Sequence, residues 1–208
     1  IPILLNYPRI NLNHLEEEIN HAIKEIGEFS KADRLAIFDY DIKNGFAYYS
    51  YEWCAKGIES KKEDLAKIPL KEFASWIEIL QKGNPINIPN ADNLEINSPI
   101  RQLLASGKVI SLLAIPLMDQ NECIGVIGLE SVNKPHYFTT IEQDILEIFA
   151  KLLVNVKNRI SNELKIKESE IKYREITENM SDMVWTMNLD FSVSFCSSSI
   201  IKIFGYSS

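Results

Sequence analysis

Histidine and cysteine are both scarce: the 208 residues hold three of each. Cys54, Cys123 and Cys196 lie far apart with no CxxC spacing, which suits a reducing cytoplasm rather than a disulfide framework. Each sits in strand-like apolar sequence and reads as a buried thiol. His14 and His21 share the polar shoulder of one helical stretch, and His136 stands in a loop. Nucleophilic catalysis asks for a nucleophile with a base beside it, and a metal centre for several ligating side chains at short spacing. Neither pattern occurs. Asp39 and Asp41 flank a strand end without a third partner and read as solvated turn residues. The phosphate cradles GxxxxGKS/T and GxGxxG are missing as well. No catalytic residue and no metal site is expected, and the identity of any cofactor stays open.

Long apolar runs are also lacking; none approaches the roughly 20 residues that span a bilayer. The chain opens on Ile rather than Met and reads as an excised piece, so no targeting signal is judged from it. A net charge of −7 argues against a surface that neutralises nucleic-acid phosphates. Apolar residues at 46% and charged ones at 25% are ordinary soluble usage, enough for one packed domain with something appended.

Periodicity supplies the elements. Leu12, Leu15, Ile19, Ala22, Ile26 and Phe29 recur in steps of three and four and predict a helix to about Ser30, capped by Asn13. Residues 34–41 predict a strand, Asn44-Gly45 a tight turn and residues 46–53 the partner strand. A helix is expected over residues 70–80 with Phe73, Trp76, Ile77 and Leu80 on one face, ended by Gly83. Residues 85–89 read as a short extended piece between prolines, and residues 99–106 as a short helix. A second hairpin pairs residues 112–117 with 123–130; its apolar residues on both faces predict a sheet covered on both sides. Gly125 and Gly128 within that strand read as a bulge or close helix packing rather than a backbone approached by a ligand.

Thr139 and Glu142 have the capping-box spacing at the start of a long helix. Ile141, Ile145, Ile148 and Leu152 form one stripe, to face the sheet or a partner helix, and Phe149, Leu153, Val156 and Ile160 a second. After Val156 the apolar steps become four and four, through Ile160 to Leu164, a coiled-coil stutter. Polar residues dominate from Lys157, which makes the rest of the helix a connector.

This order of elements resembles a GAF domain. The likeness is carried by Ala32-Asp33-Arg34, Glu52-Trp53, Ile68-Pro69 and Gly83-Asn84-Pro85-Ile86. Its most specific phrases are residues 111–117 (SLLAIPL) and 124–129 (IGVIGL). It spans about Leu12 to Lys165 and looks closest to the GAF modules of microbial sensor histidine kinases. The resemblance implies an α+β fold: an antiparallel sheet with the terminal helices on one face and a pocket under loops and short helices on the other. Phe38, Trp53, Phe73 and Trp76 are the implied pocket residues, with plain core as their competing reading. Two family ligands are disfavoured. Residues 133–139 (NKPHYFT) lack the Asp-Glu of the cyclic-nucleotide signature, and no Cys occurs in the middle segment to attach a bilin.

Residues 173–176 (YREI), 178–185 (ENMSDMVW) and 204–207 (FGYS) resemble the opening of a PAS domain. The resulting organisation is a tail over 1–11, a GAF domain over 12–156, a connector helix over 157–172 and an incomplete PAS domain over 173–208. With two of the family's five strands, the last part is expected to be poorly stable alone. The whole reads as a cytoplasmic sensory module, in a protein expected to be a histidine kinase, with a small-molecule ligand and output domains in the same chain. A homodimer is expected through the terminal helices, with Ile145, Leu152, Val156, Ile160 and Leu164 at the seam. The alternatives are a ligand-free dimerisation module and, further off, an enzyme of the free methionine sulfoxide reductase type.

Overall fold

Six strands pair into one antiparallel sheet. In the computed structural model residues 12–180, 182, 184–197 and 199–200 are described, with only the backbone given for Leu12, Asn13, Phe73, Ser75 and Glu178. The chain divides into two compact units after Val156. In the first, helix α1 (Leu12–Phe29) leads into strands β1 (Arg34–Asp41) and β2 (Phe46–Cys54). Strand β3 (Lys67–Pro69), a 3-10 turn (Leu70–Phe73), helix α2 (Ala74–Leu80), strand β4 (Ile86–Ile88) and helix α3 (Pro99–Ser106) form the middle segment. Strands β5 (Ser111–Asp119) and β6 (Glu122–Ser131) make the second hairpin, and helix α4 spans Thr140–Asn179. The sheet order is β3-β2-β1-β6-β5-β4.

The sheet is covered on both faces, as the unbroken apolar runs of β5 and β6 require. One face packs Leu35, Ile37, Leu113, Ile127 and Leu129 against Ile19 and Ile23 of α1 and Leu146, Ala150 and Leu153 of α4. The other packs Leu112, Ala114 and Val126 beneath Trp76, Leu80 and Leu104 of the middle segment. The first hairpin turns where Gly45 has φ +75 and Asp41 accepts from the Asn44 amide and side chain. Helix α4 opens with a reciprocal capping box: Thr139 donates its N–H and hydroxyl to Glu142 at 2.6 and 2.7 Å, and the Glu142 N–H returns to Thr139 Oγ1.

Several expectations change. The stretch over 70–80 is not one helix: a 3-10 turn ends at Phe73 before α2 begins. Ile23, outside the expected α1 stripe, is fully buried while Phe29 is 59% exposed. On α4 the sheet-facing residues are Leu146, Ala150, Leu153 and Val154; Ile141 and Ile148 are exposed. The expected first stripe therefore does not lie on the sheet. A helix can carry apolar residues on two faces, and spacing alone does not rank them. Gly125 is explained by strand contact, because a Cβ there would stand 2.3 Å from the Phe38 carbonyl oxygen across the β1–β6 pairing.

Asp33, just before β1, fastens the segment after β6. It accepts from the N–H groups of Val132 (2.7 Å) and Asn133 (3.0 Å), the Asn133 amide and the Ser131 hydroxyl. Burial would raise its pKa, but these donors prevail and hold it below the ordinary value. A carboxyl depressed in the fold adds stability above its unfolded pKa, near 3.9, and loses it as pH falls through the folded value. Asp33→Asn is expected to lower stability at pH 7 by about 1–2 kcal/mol, a figure reduced for solvent exposure. Urea melts should show the difference from the parent shrinking below about pH 4.

In the second unit, strands β7 (Trp185–Met187) and β8 (Val193–Cys196) form an antiparallel pair. The Ser197 N–H donates to Val184, and the Ser199 hydroxyl to Met180. Of the expected PAS phrases, Ser181, Met183 and residues 204–207 lie outside the described residues.

Candidate ligand pocket

Strand register lays three unlike rungs on the sheet face turned away from α1 and α4. Arg34 of β1 stands opposite Glu130 of β6, which faces Leu112 of β5. Two residues along, Ala36, Gly128 and Ala114 share a rung; two further, Phe38, Val126 and Pro116 do. The middle rung has almost no side chain. The covering segment bridges over it, leaving a cavity of about 60 Å³. Phe38 and Tyr49 wall the cavity, and Ile68, Trp76, Leu103 and Leu104 lie over it. The rings of Phe38 and Tyr49 meet with centroids 4.4 Å apart.

One end of this apolar space is charged. Arg34 places Nε and Nη2 on the same Glu130 oxygen, Oε2, each at 2.6 Å, and Nη2 also donates to the Gly107 carbonyl at 2.9 Å. Their side chains are 3% and 14% exposed. Burial pushes the Glu130 carboxyl above its ordinary value, opposed by the charge and hydrogen bonds of Arg34. Beside them the Tyr49 hydroxyl donates to Glu52 Oε1 at 2.9 Å, and the Lys61 N–H to the same oxygen at 2.8 Å. Burial, then the charges of Glu130 and Glu52, raise the Tyr49 pKa far above its ordinary value. A buried ion pair gives little net stability against an apolar replacement. It is the charged group in an otherwise apolar wall.

Of the four aromatics expected at a pocket, Phe38 and Trp76 line this one. Trp53 does not. It packs on the opposite face, in the core beneath α1, where a Cβ on Gly27 would stand 2.2 Å from its ring. The side chain of Phe73 lies outside the described residues. Sequence reading missed Arg34, Tyr49 and Glu130; the signal was Arg34 opening a strand whose partner ends in Glu130.

Cys54 and Cys123 are not activated thiols. Burial and the charge of Glu52 push Cys54 up to about 11, and burial raises Cys123, so both stay protonated at neutral pH. Among the described residues no group of three or more His, Cys, Asp or Glu could hold a metal ion, and no helix is long and apolar enough to cross a membrane. His14 and His21 pair with Glu18 and Glu25 along α1, and His136 meets Glu142 at 3.3 Å by the α4 cap.

The GAF domain family model matches residues 14–156, the whole of the sheet with both covering layers. This chain belongs to the GAF domain family. A curated relative is the methanogenesis regulatory histidine kinase FilI of Methanothrix harundinacea (strain 6Ac), 23% identical over 158 residues. That match takes in 71% of this chain and 16% of the kinase. Among solved structures, a GAF domain of Synechocystis sp. PCC6803 in its photoproduct state aligns with TM-score 0.63 at 12% identity, over 73% of this chain and 98% of its own. The blue-light absorbing form of the Thermosynechococcus elongatus PixJ GAF domain gives 0.62 at 18%, over 77% and 96%. A domain assigned to a two-component sensor histidine kinase of Sinorhizobium meliloti 1021 gives 0.59 at 19%, over 74% and 99%. These likenesses share the GAF fold. A covalently attached bilin has no anchor here: no cysteine stands between Cys54 and Cys123 and none lines the cavity.

Proposed function

We propose that this chain is the sensory part of a signal-transduction protein of the sensor histidine kinase kind. A small molecule enters the cavity over the sheet, and α4 carries the effect to a following PAS domain. The observation that supports this most is the buried Arg34–Glu130 pair at the end of a cavity walled by Phe38, Tyr49 and Trp76. The relative FilI, a histidine kinase by name, supports the output, and the PAS-like phrases after Tyr173 support the next module.

The movable part is the middle segment, about Ile68 to Gly107. It is made of two three-residue strands, 3-10 turns and helices of seven and eight residues, with less backbone pairing than the strands beneath. A ligand shifts a protein only through its difference in affinity between two states; one that draws this segment inward favours the closed state. Tryptophan fluorescence checks this. With Trp185 replaced by Phe, a ligand is expected to shift the emission of Trp76 while Trp53, on the helix side, stays constant. A metabolite library that leaves Trp76 unmoved favours the rival reading, a dimerisation module without a ligand.

The dimer is part of the same proposal. Ile141 and Ile148 of α4 are 62% and 54% exposed, and Leu152 and Val156 line a groove of about 200 Å³ against α1. Ile160 and Leu164 continue these steps along α4. A second copy of this chain is the occupant such a self-matched seam suits. Val156→Asp or Ile148→Asp is expected to give monomers by light scattering, since a charge there would be buried without a partner. A parent chain that is monomeric at high concentration sinks the idea.

A further inference from the structure

We infer that the cavity's ligand is a small primary aliphatic amine, bound as its ammonium with the charged end on Glu130. This rests on the pocket reading above and narrows it. Both Arg34 contacts fall on Oε2 of Glu130; among the described residues no donor reaches Oε1. The hydroxyl of Tyr49, which also lines the cavity, is turned to Glu52. Glu130 lines the end of the cavity with Arg34, and Glu52 adds a second carboxylate behind the Tyr49 hydroxyl, outside the lining; among the described residues one oxygen of Glu130 has no donor.

An ammonium answers both needs. It brings three N–H donors and one positive charge, and a primary alkylamine keeps its proton at neutral pH as the lysine side chain does. A carboxylate ligand would meet Glu130 and Glu52 as like charges. The Nε and Nη2 groups of Arg34 could not turn to it without releasing Glu130 and the Gly107 carbonyl, and Nη1 is directed to the Glu59 carbonyl. The walls suit the rest of the molecule: Phe38, Tyr49 and Trp76 present apolar ring surface to an alkyl chain. The floor of Ala36, Gly128 and Ala114 admits a short alkyl chain lying across three strands. A cavity of about 60 Å³ is small, so the chain is short and a longer one has to lift the middle segment.

The test uses the whole 208-residue chain at neutral pH and constant ionic strength, titrated separately with n-propylammonium, n-propanol and propionate. Binding is followed by the backbone amide NMR signals of Ala36 and Gly128. For so few atoms the expected Kd of propylammonium is on the order of millimolar, at least tenfold tighter than propanol, with propionate weakest. Glu130→Gln is expected to bring propylammonium to the level of propanol and leave propanol unchanged. Should that variant fail to fold, Gly128→Ala serves instead. Its Cβ enters the cavity floor 3.3 Å from Leu112 Cδ1, contacting a side chain that can give, and it should weaken all binding while keeping the ion pair. Propanol or propionate binding as tightly as propylammonium overturns the amine and leaves the pocket reading standing. No response to any of the three, in parent and Gly128→Ala alike, overturns both.

Discussion

Replacing Arg34 by Met is expected to lower the unfolding free energy by about 3–5 kcal/mol at neutral pH, the range for removing one partner of a buried pair. Methionine fills much of the same space, so the loss is not mainly one of packing. The guanidinium has three tasks at one spot: it neutralises Glu130, satisfies Oε2 twice and closes on the Gly107 carbonyl after α3. Without it Glu130 remains in the apolar wall as an uncompensated charge. The remedy open to the variant is protonation. Burial already pushes the Glu130 carboxyl up, and without Arg34 nothing on that side opposes the rise. A carboxyl whose folded pKa lies above its unfolded value, near 4.3, is tolerated at low pH and costs stability as pH rises through the folded value. The gap between Arg34→Met and the parent should therefore widen from pH 5 to pH 7.5 in urea melts. A gap that is constant across that range would mean that Glu130 is not the group left stranded.

Much of the fold was legible in the sequence because its signals are local. Strand β1 spans the strand-like residues 34–41 as expected, the Asn44-Gly45 turn has the positive φ that its glycine permits, and Thr139 and Glu142 cap α4 as their spacing requires. The pocket was only partly legible, and one residue shows why. Counting by twos along β2 puts Tyr49, Tyr51 and Trp53 on the same face. The β1–β2 register instead shifts between Ile37 and Phe38, so that Ile37 pairs with Tyr51 but Phe38 with Tyr49. Ser50 is the extra residue of a bulge, and one extra residue exchanges the faces of everything beyond it. Tyr51 and Trp53 therefore join the helix-side core, while Tyr49 turns to the cavity. No residue in this stretch marks the bulge: Ser50 is neither glycine nor proline, and its hydroxyl simply donates to Asp39 at 2.6 Å. The ion pair was hidden for another reason. Arg34 and Glu130 stand 96 positions apart, and only the β1–β6 pairing brings them together.

The new place of Trp53 carries the second large effect. Gly27 lies inside α1, where alanine ordinarily improves a helix by about 1 kcal/mol. Here a Cβ would sit 2.2 Å from two carbons of the Trp53 ring, far inside van der Waals contact, so helix and strand must separate or the indole must leave its place. Overpacking of this kind costs about 1–3 kcal/mol and occasionally more. Gly27→Ala is accordingly expected to lower stability by about 2–3 kcal/mol, against its helix propensity. The contact is specific enough to be tested by a cycle of four proteins. Trp53→Leu removes the ring carbons that Gly27 faces and is itself destabilising. In that background Gly27→Ala should change from harmful to neutral or favourable by up to about 1 kcal/mol, because only the propensity gain remains. Such a reversal of sign needs Gly27 and Trp53 to touch. If Gly27→Ala costs the same with tryptophan and with leucine at position 53, Trp53 is not packed beneath α1 and returns to the candidates for the pocket.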